Sequence, residues 1–282
     1  MQEESRPPHA NPAYGAPTNG PPASNGVSDF FRAIFFAQSM FDNRMALIKN
    51  EFAPVTFRFG FVESSFASLC EAFQEWFRTL HAKHGLKTEF RPIVAPLETT
   101  LLSLEPLTTP LDRYLLVETK SDWTAIFANG LRVNDVFSPA SYLPLGLKCR
   151  GLEVGYAPDR SKSDRKDLIR VWGHTLFALY GPNSTDGLNR IRYLSVSNDV
   201  GGWSFSEGGD VQPYEELDAY KRRRIQERFT IEMLERYCRA LGVEVNQVDF
   251  YGLRSCAVRI TGQKNRGDLS MSIAEANSHL DL

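Results

Sequence analysis

The sequence predicts an α+β protein built on a mixed, largely antiparallel sheet with a few amphipathic packing helices. Strand candidates follow one another with few helical crossovers, whereas a doubly wound α/β chain alternates the two. "PVTFRFGFVES" sets Val55, Phe57, Phe59 and Phe61 against Thr56, Arg58 and Gly60, the period-two pattern of a half-buried strand. Gly201–Gly202 lies between two extended candidates, "RYLSVS" and "GWSFS", and suits a tight hairpin turn. A phosphate loop needs its glycines directly between a strand and a helix, a test this pair fails.

In chain order, residues 1–27 are rich in Pro, Gly, Asn and Ala without apolar periodicity and read as a disordered leader. A single domain is expected over 28–261, opening with Ser28 as the N-cap of a Phe-rich helix over Phe30–Met45. Phe31 and Phe35 on that helix are candidates for docking a partner. After the first strand, Phe66, Leu69, Phe73, Trp76, Phe77 and Leu80 line one helical face, and Gly85 supplies the stop. An extended segment follows at 86–94. "TTLLSLE" and "RYLLVET" both read as extended around a turn at "PLTTPLD", and a short helix is expected over Asp122–Asn129. "SPASYLPLGL" predicts a helix shortened or kinked by Pro144.

"CRGLEVGYAP", "LIRVWGHTLFALYG" and "IRYLSVSND" read as strands, with the wholly polar "DRSKSDRKD" as an exposed loop. Helices are expected over Tyr214–Phe229 and Ile231–Leu241, the second capped by Thr230 and closed by Gly242. Two further extended pieces, "VDFYG" and "CAVRIT", precede a polar C-terminal tail at 262–282.

Composition narrows the function. Of 282 residues, 42% are hydrophobic and 23% charged, ordinary for a soluble globular protein, and the net charge of -2 offers no basic excess for nucleic acid or an anionic membrane. The most apolar run, "FFRAIFFAQSMF", is interrupted by Arg32 and falls short of the roughly 20 residues a spanning helix needs. "MQEESRPPHA" lacks the basic and apolar regions of a signal peptide. The 4 cysteines are dispersed with no C-x-x-C pair, which reads as reduced thiols in a cytoplasmic protein.

Candidate chemistry is sparse. His81 and His84 stand three apart at a helix end, but no third ligand is identifiable, so no metal is expected, and no motif calls for a cofactor. His174 is the histidine inside an apolar strand, and Glu153 is a carboxylate in a similar setting. If their strands pair, the two form an acid–base couple. Otherwise Glu153 faces water and His174 is a satisfied structural residue. Glu118, Asp122 and Trp123 meet at a strand-to-helix junction, where Asp122 also reads as an N-cap and Trp123 as an interface anchor. Trp203 stands on the expected hairpin as a second aromatic anchor. The basic run Lys221–Arg224 is interleaved with Glu215, Glu216, Asp218 and Glu227, as on a solvated helical face.

The strings "GGWSFSEGGDVQPYE", "RRRIQERFT", "DWTAIFANG" and "YLPLGLKCRGL" resemble segments of uncharacterised bacterial proteins near toxin or secretion systems, over about residues 113–243. That resemblance implies an immunity or accessory role and brings no catalytic residue with it. The expected function is therefore protein binding through a surface, without catalysis and without a membrane. The alternatives are a hydrolase-type enzyme using Glu118, Asp122, Glu153 and His174, and, more weakly, nucleic-acid binding through the basic helix.

Overall fold

Nine strands join in one sheet: β1 (Arg58–Val62), β2 (Lys87–Val94), β4 (Arg113–Thr119), β5 (Thr124–Ala128), β6 (Gly151–Ala157), β7 (His174–Tyr180), β8 (Arg190–Asp199), β9 (Gly202–Gly209) and β10 (Tyr251–Thr261). Their spatial order is β2-β10-β4-β5-β1-β6-β7-β8-β9, and every neighbouring pair is antiparallel. Two short strands, β3 (Leu107–Thr108) and β11 (Ser270–Met271), pair separately. Among the described residues five α-helices accompany them: α1 (Phe66–Ala82), α2 (Leu97–Leu101), α3 (Phe137–Leu147), α4 (Ile231–Ala240) and α5 (Ile273–Leu280). The protein is thus α+β, mostly sheet. This computed structural model describes residues 46–82, 85–131, 136–160, 171–182, 184, 186–199, 201–262 and 269–280, all within the unit Arg44–Leu282. The expected leader and the Phe30–Met45 helix with Phe31 and Phe35 lie outside the described residues, as do His84 and the side chain of His81.

The two sheet faces are covered differently. On one, Phe59, Phe61, Leu115, Val117, Phe127, Leu152, Phe177 and Leu194 meet Met233, Leu234 and Tyr237 of α4 together with the segment leading into it. Phe59 and Phe127 stack at 4.8 Å between centroids, and burying each such side chain contributes roughly 1.5–3 kcal/mol. On the other face, Leu69, Phe73 and Phe77 of α1 and Leu143 of α3 cover Val62, Tyr114, Leu116, Ile126, Cys256 and Val258. α3 rests directly on β6, because a Cβ at Gly151 would stand 1.9 Å from the Ala140 carbonyl oxygen. On this face α3 packs chiefly on β1, β6 and β7, with Phe137 at its start reaching the cluster that also holds Tyr193 of β8.

Several elements follow the sequence reading. The hairpin at Gly201–Gly202 forms as expected: Asp199 pairs with Gly202, which takes φ +114. Gly209 closes β9 at φ +80, where a Cβ would collide with the Ile191 carbonyl at 2.2 Å. α4 begins on Thr230, whose hydroxyl accepts from the Met233 amide at 3.4 Å.

Five expectations are corrected. "TTLLSLE" is not a strand. Pro96 starts α2, and a 3-10 turn at Leu102–Leu104 continues it, with Thr100 donating back to the Leu97 carbonyl. Asp122–Asn129 is not a helix but holds β5, whose five residues are all buried between β4 and β1. Tyr214–Phe229 contains only two short 3-10 turns, Ala219–Lys221 and Ile225–Glu227, because Glu215, Ala219 and Tyr220 are drawn into the core by separate contacts. The C-terminal tail is partly structured. In α5, Ile273, Ala276 and Leu280 at positions i, i+3 and i+7 are buried, so its sparse apolar residues make one packing stripe. Of "VDFYG", Val248–Phe250 form a 3-10 turn and not a strand, and Tyr251 onward joins "CAVRIT" in the single irregular strand β10.

Candidate functional site

The helix-covered face of the sheet continues past α3 into a pocket of about 360 Å³ at the junction of β1, β6, β7 and β8. Strand register explains what gathers there. Glu153 of β6 lies opposite Gly60 of β1 and Ala178 of β7, and these small neighbours leave room for a carboxylate on a face that is otherwise packed. Arg58, two residues along β1, donates its Nε–H to Glu153 at 2.7 Å, and the Tyr180 hydroxyl donates to the other carboxylate oxygen at 2.9 Å. Glu153 is only 1% exposed, so its charge is held by groups that also bond it. Burial, with the adjacent carboxylate, pushes the Tyr180 phenol well above its ordinary range.

His174 lies on the same face. Its Nδ1 is 3.2 Å from the Trp172 carbonyl, which can only accept, so Nδ1 carries the proton and Nε2 is an unprotonated acceptor. That Nε2 is buried without a hydrogen-bond partner, and a Cβ at Gly155 would come within 3.1 Å of it. Burial lowers the imidazole to a pKa of about 4, only partly offset by the bond to Trp172, and the charge of Arg58 adds to the lowering.

The strands of Glu153 and His174 do pair, and both residues line this pocket, yet they form no couple. The two carboxylate oxygens receive Arg58 and Tyr180, while the imidazole bonds backbone. Glu118 and Asp122 belong to another cleft, of about 420 Å³, beside the start of α1. There Arg254 donates its Nε–H to Glu118 at 2.8 Å and holds that carboxyl below the usual carboxylate range. The four candidate acids and bases therefore fall into two separate groups.

The two candidate tryptophans serve the core. Trp123 is 2% exposed, donates its indole N–H to the Leu241 carbonyl at 2.9 Å and lies under the Arg150 guanidinium at 5.5 Å. Trp203 packs against the α4-side core, and a Cβ at Gly173 would meet its ring at 2.7 Å. In the basic run, Lys221 pairs with Asp218 at 3.4 Å, Arg224 with Glu227 at 3.6 Å, and Arg222 donates to the Glu227 carbonyl at 3.1 Å. Local acids and carbonyls thus take up much of this run.

Arg58, Trp172, Tyr180, Arg190 and Tyr193 of this pocket escaped the sequence reading. Arg58 looked like one more polar residue on the outer side of a strand. Arg190 and Tyr193 lie on β8, where Arg190 bonds Asp186 at 2.8 Å and stacks 5.4 Å over the Tyr193 ring. The only local signal was the four-residue spacing of Asp186 and Arg190. Among the described residues no three His, Cys, Asp or Glu side chains gather as metal ligands, and no helix is long and apolar enough to cross a membrane. The chain matches no protein-family model, no curated protein and no solved structure.

Proposed function

We propose that the chain is a cytoplasmic binding protein of immunity or accessory type that engages a protein partner through the pocket on β6–β8 and performs no catalysis. The observation that carries this reading is the pocket's make-up. Trp172, 39% exposed, Tyr193 and two arginines border it, and Trp, Tyr and Arg are the residue types that dominate binding energy at interfaces. Arg58 and Arg190 are each held by a carboxylate, so their positions are set before a partner arrives. The resemblance over about residues 113–243 supports the immunity or accessory assignment. The hydrolase alternative loses ground because Glu153 bonds Arg58 and Tyr180 and not His174, whose Nε2 has no partner, and because Glu118 and Asp122 lie in a separate cleft.

The test is site-specific photo-crosslinking in the native host. A crosslinking amino acid at Trp172 is expected to capture one protein reproducibly, and the purified partner is expected to bind the unmodified chain. The same label at Val94, 76% exposed on edge strand β2, serves as the control. Equal or no capture from position 172 refutes the reading.

A further inference from the structure

We infer that the pocket receives a carboxylate, an Asp or Glu side chain of the partner, at the free end of Arg190. This rests on the protein-binding reading above and adds the chemistry of the group recognised.

The guanidinium of Arg190 spends its Nε–H on Asp186 at 2.8 Å, and among the described residues its two terminal NH₂ groups have no hydrogen-bond partner. They remain as a planar pair of donors on a side chain 35% exposed. The guanidinium stacks over Tyr193 at 5.4 Å, which limits its rotation. A fork of this kind matches the two oxygens of a carboxylate in a bidentate pair.

The surrounding charges favour the same group. Arg190 pairs with Tyr180 across β7–β8, and the Tyr180 hydroxyl donates to Glu153, which in turn holds Arg58. The two arginines are 32% and 35% exposed; Glu153 is 1% exposed behind them, and Asp186, itself 35% exposed, is engaged on the Nε side of Arg190. A group that approaches the terminal end of Arg190 therefore meets its NH₂ donors first. Each arginine is already partly neutralised, so a single negative charge is compensated better than the double charge of a phosphate monoester. Ser195 and Ser197 of β8 add neutral hydroxyls on the same face, and the exposed ring of Trp172 gives an apolar wall for the methylenes behind the carboxylate.

The experiment follows backbone and indole N–H signals of the full chain by NMR during titration with N-acetyl-glutamate methylamide. N-acetyl-glutamine methylamide and O-phosphoserine serve as comparisons. Saturable shifts at the Trp172 indole and the Ser195 and Ser197 amides are expected with the glutamate probe and not with the glutamine probe. Arg190→Met is expected to weaken the glutamate probe by about tenfold or more, the loss of one charge-assisted pair. Arg190→Lys, which keeps the charge and loses the fork, guards against misfolding of the first variant, and it too is expected to bind more weakly. No shift, equal shifts for the glutamate and glutamine probes, tighter binding of phosphoserine, or unchanged affinity in both variants overturns the carboxylate assignment and leaves the pocket reading intact. If the probe binds but crosslinking from position 172 captures nothing, the protein partner is overturned instead, and the attribution of the carboxylate to it falls as well.

Discussion

Replacing Glu215 by Gln tests how the segment 210–229 is held without a helix. Glu215 is 1% exposed and faces Arg192, 2% exposed, as a fully enclosed ion pair. One carboxylate oxygen accepts from Arg192 Nε at 2.8 Å and the Gln212 amide at 2.7 Å. The other accepts from Arg192 Nη2 at 2.7 Å and the Tyr220 hydroxyl at 2.8 Å. In the Gln variant one of these oxygens becomes an NH₂ group, which cannot accept from Arg192, so at least one bond to the guanidinium is lost with the charge. Breaking a buried pair from one side costs about 3–5 kcal/mol. The Glu207 carboxylate, 2.6 Å from Arg192 and 44% exposed, still neutralises part of the arginine and places the cost near the lower limit. A loss of about 3 kcal/mol corresponds to a Tm lower by about 6–12 °C in a domain of this size. Urea denaturation followed by tryptophan fluorescence reads it directly. Arg192→Met combined with Glu215→Gln removes both charges and is expected to be more stable than Glu215→Gln alone. A Glu215→Gln protein within about 1 kcal/mol of the parent, with the double variant no better, would refute the reasoning.

Two further outcomes follow from the same geometry. The folded pKa of His174 lies near 4, below its ordinary 6.5, so the unfolded chain binds the extra proton first. Stability is then full above pH 6.5 and falls towards pH 4, by at most about 1.4 kcal/mol per pH unit from this group. His174→Gln should flatten that part of the pH profile in urea melts, and parallel profiles for the two proteins would contradict it. Gly151→Ala drives a methyl into the Ala140 carbonyl and is expected to destabilise by about 2 kcal/mol or more. Gly146→Ala, in α3 with nothing within 4 Å, should be neutral or stabilising by about 0.5 kcal/mol, thermal melts reading both variants.

The sequence by itself determined those parts of the protein whose burial is one-sided or whose ends are marked locally. The strand around Phe59–Phe61, although it is covered on both faces and not half-buried, the helical stripe from Phe66 to Phe77, the Thr230 cap and the glycines at 201–202 each act over a few residues, so each was legible. Glu153 and His174 were also recognisable as polar groups in apolar strands, though not their partners. Tertiary structure alone decided the rest. β5 is covered on both faces and therefore shows no alternation to distinguish it from a helix. The acid–base spacing in 214–229 suggested a helical face, but Glu215 is claimed by Arg192, 23 residues earlier in the chain. The pocket depends on contacts more remote still: Arg58 reaches Glu153 across 95 residues, because β1 and β6 became neighbours in the sheet. Local periodicity records which side of an element is dry, but it holds no information about which distant charge will lie opposite.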